Sequence, residues 1–79
     1  MSLKLVSMSV VNIDFVINNI RKIRERDYIS QEYLAAKLGI GQNAYSKIEL
    51  GKTKLTIEHL LVIADALGVK ARELLNEKA

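Results

Sequence analysis

Residues 31 to 52, QEYLAAKLGIGQNAYSKIELGK, constrain this chain more than any other stretch, because two short helical patterns meet there at a Gly-Ile-Gly break. Leu34 and Leu38 stand four apart with Ala35 on the same side, so a helix opening near Gln31 buries that face. Ala35 leaves room for close helix contact. Gly39 can take the positive φ that closes a helix, and Ile40 then drops an apolar anchor into the junction. A second helix, residues 42–50, carries Tyr45 and Ile48 on one face and sends Asn43, Ser46, Lys47 and Leu50 to the opposite one. That polar face is free to meet a partner, and Gly51 supplies the next stop.

The flanking sequence extends the pattern to an all-α chain of five helices. The first runs from about Asn12 or Asp14, either of which can cap it, to Arg26, with Ile13, Val16, Ile17, Ile20 and Ile23 as its apolar stripe. Ser30 caps the second. The fourth starts after Thr56 and carries Ile57, Leu60, Ile63, Ala64 and Leu67 to a stop at Gly68. A short fifth helix holds Leu74 and Leu75. Three of the four glycines fall at helix ends and no proline interrupts a helix, so local signals agree with the global pattern.

With 79 residues, 49% of them hydrophobic, the chain builds one small core that buries roughly 60% of its unfolded surface, with no room for a separate sensor domain. The absence of Cys excludes disulfide frameworks and cysteine-based zinc fingers. Lys4, Ser7, Ser9, Asn12 and Asp14 interrupt the apolar N-terminal residues, leaving neither a secretory core of ~7 to 15 residues nor a membrane span of ~20. A cytoplasmic protein is expected. Residues 12–79 form the domain, and residues 1–11 form an arm or tail rich in Leu, Val and Met. Three readings of that segment stay open: a free tail, an arm packed on its own domain, or a strand paired with a second subunit.

The net charge of +3 matters less than its location. Between Arg21 and Lys54 there are eight basic side chains against four acidic ones, so the remainder of the chain carries −1. A basic segment spanning the paired helices points to a polyanionic partner on one face.

The spacing of Gln31, Ala35, Gly39, Tyr45 and Ile48 resembles the helix-turn-helix of lambda-repressor-like proteins, the phage Cro and repressor type also called the xenobiotic response element family. The likeness begins at Ile20-Arg21 and continues without gaps through Ile29-Ser30-Gln31, Leu38-Gly39-Ile40, Ser46-Lys47-Ile48-Glu49 and Gly51-Lys52. It ends at Ala66-Leu67-Gly68-Val69 and Glu73-Leu74-Leu75, having covered about 55 of the 79 residues. The fold it implies is a compact five-helix lambda-repressor-like domain.

By this resemblance helix 42–50 is the recognition helix, with Gln42, Asn43, Ser46 and Lys47 as the base-reading set. Their chemistry fits, since Gln and Asn can bond adenine in bidentate fashion and Lys can donate to guanine O6 and N7. The resemblance also implies phosphate contacts from Gln31, Lys52, Lys54 and Arg24, with Glu49 as the ion-pair partner that holds Arg24 beside the DNA backbone. A helix N-terminus such as the one at Gln31 suits an anion in any case. Four positions depart from the family pattern. Gly41 replaces a capping Ser or Thr, Tyr28 replaces a glycine, Tyr45 replaces a smaller aliphatic residue and so needs an outlet for its hydroxyl, and Lys70 lacks a capping oxygen.

Proteins of this type bind double-stranded DNA as two-fold dimers on inverted repeats, so a homodimer is expected here, through Leu74 and Leu75 or through the N-terminal arm. The function implied is a sequence-specific transcriptional regulator of repressor or controller type. The alternative is an antitoxin or protein-interaction adaptor whose partner is a toxin or another regulator. No catalytic residues, cofactor or metal site are expected: His59 is the lone His, and no Cys or Gly-rich phosphate loop joins it.

Overall fold

The computed structural model describes residues 12–76, and the readings made for residues 1–11 lie outside them. Between Asn12 and Asp14 the cap is Asn12, whose Oδ1 accepts from the Asp14 N–H at 2.7 Å and opens α1, Ile13–Arg26. Val16, Ile17, Ile20 and Ile23 bury one face of α1. Ile13, expected on the same stripe, is half exposed as the first residue of the helix, one turn before the buried Val16 and Ile17. Ser30 Oγ accepts from Tyr33 N–H to cap α2, Gln31–Leu38, and Thr56 Oγ1 does the same through His59 N–H for α4, Ile57–Leu67. Gly41 precedes α3, Gln42–Glu49, and offers it no side-chain cap. Lys70 also lacks an accepting atom, and at the head of α5, Ala71–Leu74, the Glu73 carboxylate reaches back instead to the Lys70 N–H at 2.9 Å.

The tight turn between α2 and α3 depends on Gly39, which sits at φ +72° while its own N–H bonds Ala36 and the Ile40 N–H bonds Ala35. That closure satisfies the last carbonyls of α2 and turns Ile40 back onto the core. The same pair of bonds closes α1, where Tyr28 N–H meets the Glu25 carbonyl and Ile29 N–H meets that of Arg24. Tyr28 therefore holds φ +57°, a left-handed conformation normally left to glycine.

Among the described residues the secondary structure is all α-helix. The three inner residues Leu34, Tyr45 and Leu74 meet Val16, Ile20, Leu60 and Ile63 in one core, with α2 packed on α3 and α4 while α1 crosses α3, α4 and α5. Leu34 and Ala35 thereby bring α2 and α3 close, leaving the polar side of α3 outward. Ile57, expected on the buried stripe of α4, is exposed, since the stripe engages only from Leu60 onward. No helix of the described residues is long and apolar enough to cross a membrane.

Candidate nucleic-acid interface

The outer side of α3 is built by subtraction: Tyr45 and Ile48 are consumed by the core, and the residues between them in helical phase are left facing outward. Gln42, Asn43 and Lys47 are exposed and Ser46 is half-buried on that side. Lys52 and Lys54 stand exposed in the loop that follows, whose start is pinned by bonds from the Lys52 and Thr53 N–H groups to the Lys47 carbonyl. Leu50 ends the helix as an exposed apolar residue.

Behind this face, three side chains place four hydrogen bonds on one carboxylate. Glu49, only 5% exposed, accepts from Arg24 Nε at 2.7 Å and Arg24 Nη2 at 3.0 Å, from Gln31 Nε2 at 3.0 Å and from the Tyr45 hydroxyl at 2.6 Å. Each carboxylate oxygen thus takes two donors. Burial opposes the charge on Glu49, but the bonds from Arg24, Tyr45 and Gln31 outweigh it and hold the carboxyl below its usual value. The same contacts raise Arg24, chiefly through its bond to Glu49, and burial with the bond to Glu49 pushes the Tyr45 phenol far up.

The cluster joins α1, the head of α2 and the tail of α3. Arg24 also donates from Nη1 to the Ile29 carbonyl, and Arg21 donates to the Glu49 carbonyl at 3.3 Å, so cationic groups meet the C-terminus of α3. Gln31 is the first residue of α2, where the leading N–H groups have no intrahelical acceptor. With one amide proton on Glu49, its side chain retains a second for an outside acceptor.

Two sets of sequence-expected residues sit differently from their expected roles. Arg24, expected on phosphate and held by Glu49, does form the pair with Glu49, but that bidentate pair and the bond to Ile29 occupy three of its donors and leave its side chain 11% exposed. Leu74, expected with Leu75 at a dimer contact, is fully buried in the core, so its side chain has no surface to offer. Leu75 follows α5 and is 39% exposed.

A family model of the helix-turn-helix matches residues 20–74, which include Arg24, Gln31 and Tyr45 around Glu49 and the whole outer side of α3. The chain belongs to the lambda-repressor-like helix-turn-helix family. This is a DNA-binding fold. Among its relatives is control protein C.MunI of a Mycoplasma species, 34% identical over 61 residues that make up 76% of this chain and 82% of that protein. No solved structure matches. Within this helix-turn-helix, the residues that sequence reasoning left without a site role are Tyr45 as a donor to Glu49 and Arg21 as a partner of the α3 terminus. The first had a signal in the sequence, since Tyr45 and Glu49 are four apart on one helix.

Proposed function

We propose that this protein is a sequence-specific transcriptional regulator, of repressor or controller type, that places α3 in the major groove. One observation carries this reading: Gln42, Asn43 and Lys47 are exposed together on the side of α3 opposite its core residues. The major groove is ~12 Å wide and takes one α-helix, whose leading side chains reach base edges. Gln42 and Asn43 occupy that leading turn, with Ser46 and Lys47 one turn on. Gln31 and the open N–H groups of α2 serve the phosphates on one flank, with Lys52 and Lys54 on the other, and Arg24 supports Gln31 through Glu49. The similarity to a control protein favours the controller branch of the reading.

The regulator acts as a homodimer on an inverted repeat whose half-sites lie about 34 Å apart. Leu75 is the remaining dimer candidate of its helix, and with Ile13, Leu55 and Ile57 it rims an apolar groove at one end of α4. The exposed apolar residues of this rim, Ile13, Ile57 and Leu75, support the second reading, an antitoxin or adaptor whose partner is a protein. They lie on α1, α4 and around α5, whereas on the outer side of α3 the exposed large apolar residue is Leu50. That distribution favours nucleic acid as the partner of α3 in either case.

Selection of duplexes from a random library near physiological salt tests the reading. Enrichment of an inverted repeat with half-sites near one helical turn apart is the expected result. Retention of no particular sequence by folded protein moves the function to the protein-partner module.

A further inference from the structure

We propose that the Tyr45 hydroxyl is a positioning group for the grip on the DNA backbone: through Glu49 it sets the amide of Gln31 at the head of α2. The proposal rests on the DNA-binding reading above.

The core has no need of this hydroxyl. Tyr45 is fully buried, its ring belongs to the apolar core with Leu34, Val16 and Ile63, and a phenylalanine ring packs the same volume. A phenol so placed must be given an acceptor, and the acceptor here is a buried anion. Glu49 is itself out of place as a helix residue, since a negative charge in the last turn of α3 opposes the helix dipole. Arg24 and Arg21 answer that charge, but they approach from α1. The Tyr45 hydroxyl and Gln31 are the donors that tie the same carboxylate to α3 itself and to α2.

The geometry assigns each oxygen. Oε2 takes the Tyr45 hydroxyl and Arg24 Nε, while Oε1 takes Gln31 Nε2 and Arg24 Nη2. Four donors leave the carboxylate one orientation. That orientation fixes the plane of the Gln31 amide, and with it the direction of its second N–H beside the open N-terminus of α2. Removing the hydroxyl frees one lone pair of Oε2 and leaves the carboxylate held by Arg24 and Gln31 alone, so the acceptor that orients the Gln31 amide is less tightly fixed. Phosphate contacts carry no base information, so the resulting loss falls equally on all duplexes.

The test compares wild type, Tyr45→Phe, Gln31→Met and the double variant for binding to a selected operator and to an unrelated duplex. All are measured at a temperature where circular dichroism shows each one folded. Tyr45→Phe is expected to weaken both duplexes about five- to tenfold, within the coupling found among residues of one hydrogen-bond network. In the double variant the two losses do not multiply, because both act on the same amide. Tyr45→Met runs alongside and carries the same comparison if Tyr45→Phe fails to fold. Folded Tyr45→Phe with unchanged affinity overturns the positioning role, and so do losses that multiply or fall on the operator alone. A purely structural hydroxyl lowers the unfolding temperature and leaves both affinities in place. Wild type that grips no duplex even at low salt defeats the functional reading and the proposal together.

Discussion

The buried amide of Asn19 in α1 donates at 2.9 Å to the carbonyl of Leu74, 55 residues further along the chain. A second bond from the same nitrogen, 2.8 Å long, reaches the Asn76 carbonyl. A helix as short as α5 has no stability of its own in water, and these bonds with the buried Leu74 side chain hold it against α1.

Asn19→Ala removes both bonds and leaves the buried Leu74 carbonyl without this donor. The expected cost is ~1 to 3 kcal/mol, read as a lower urea midpoint with an unchanged slope. A loss below about 0.5 kcal/mol, the scatter of ordinary surface substitutions, would deny Asn19 its role in anchoring α5.

Glu49→Ala leaves the nearly buried Arg24 with only the Ile29 carbonyl and the distant Glu25 carboxylate, and breaking such a pair by removing one partner costs up to about 3 to 5 kcal/mol. The retained carboxylate makes the fold acid-sensitive. Because the native Glu49 carboxyl lies below its ordinary value of 4.5, the unfolded chain binds the proton first as pH falls. Stability from this group is complete above the unfolded value and is lost as pH drops through the lower native one. Glu49→Gln should therefore be less stable than wild type near neutrality and should flatten the acid limb of denaturant midpoints against pH. An acid limb of unchanged slope would transfer that sensitivity to other carboxylates.

Tyr28→Gly is expected to stabilise. The left-handed backbone at φ +57° costs a residue with a β-carbon ~1 to 2 kcal/mol, and glycine's greater freedom in the unfolded chain returns about 0.5 to 1 of that. Tyr28 is 96% exposed, so little packing is lost. A net gain of ~0.5 to 1 kcal/mol raises Tm by about 2 to 8 °C in a domain of this size. A fall in Tm would mean that the tyrosine makes a compensating interaction.

Asn43→Ala and Lys52→Ala should fail in different ways. The first is expected to lose ~1 to 3 kcal/mol on the selected site and to relax preference at one base pair. The second should weaken every duplex and reduce the magnitude of the log–log salt slope by about one. Competition binding at several salt concentrations separates them. An equal loss on all sequences for Asn43→Ala would remove it from the base-reading set, and an unchanged slope would remove Lys52 from the phosphate set.

Local chemistry made much of this fold legible. Ser30 and Thr56 carry an oxygen where a helix must start, and Gly39 can take the conformation with which α2 must end, so those boundaries follow from single residues. Periodicity correctly placed Tyr45 and Ile48 inward and Asn43 and Lys47 outward. It misplaced Ile13 and Ile57, which share the phase of buried stripes but are the first residues of their helices, at the edge of the core. Periodicity reports direction around a helix axis and is silent about how far along it the neighbours extend.

The amino-acid sequence by itself determined the five helices, their order, the turn at Gly39 and the family, because each depends on neighbours a few residues apart or on a fixed register of them. Only the tertiary structure decided that Leu74 belongs to the core while Leu75 stays at the surface. It alone turned Arg24 inward, and it alone gathered Gln31 and Tyr45 onto Glu49. These outcomes depend on where a second and third helix pass, and a buried carboxylate takes whatever donors their crossing brings within hydrogen-bond reach.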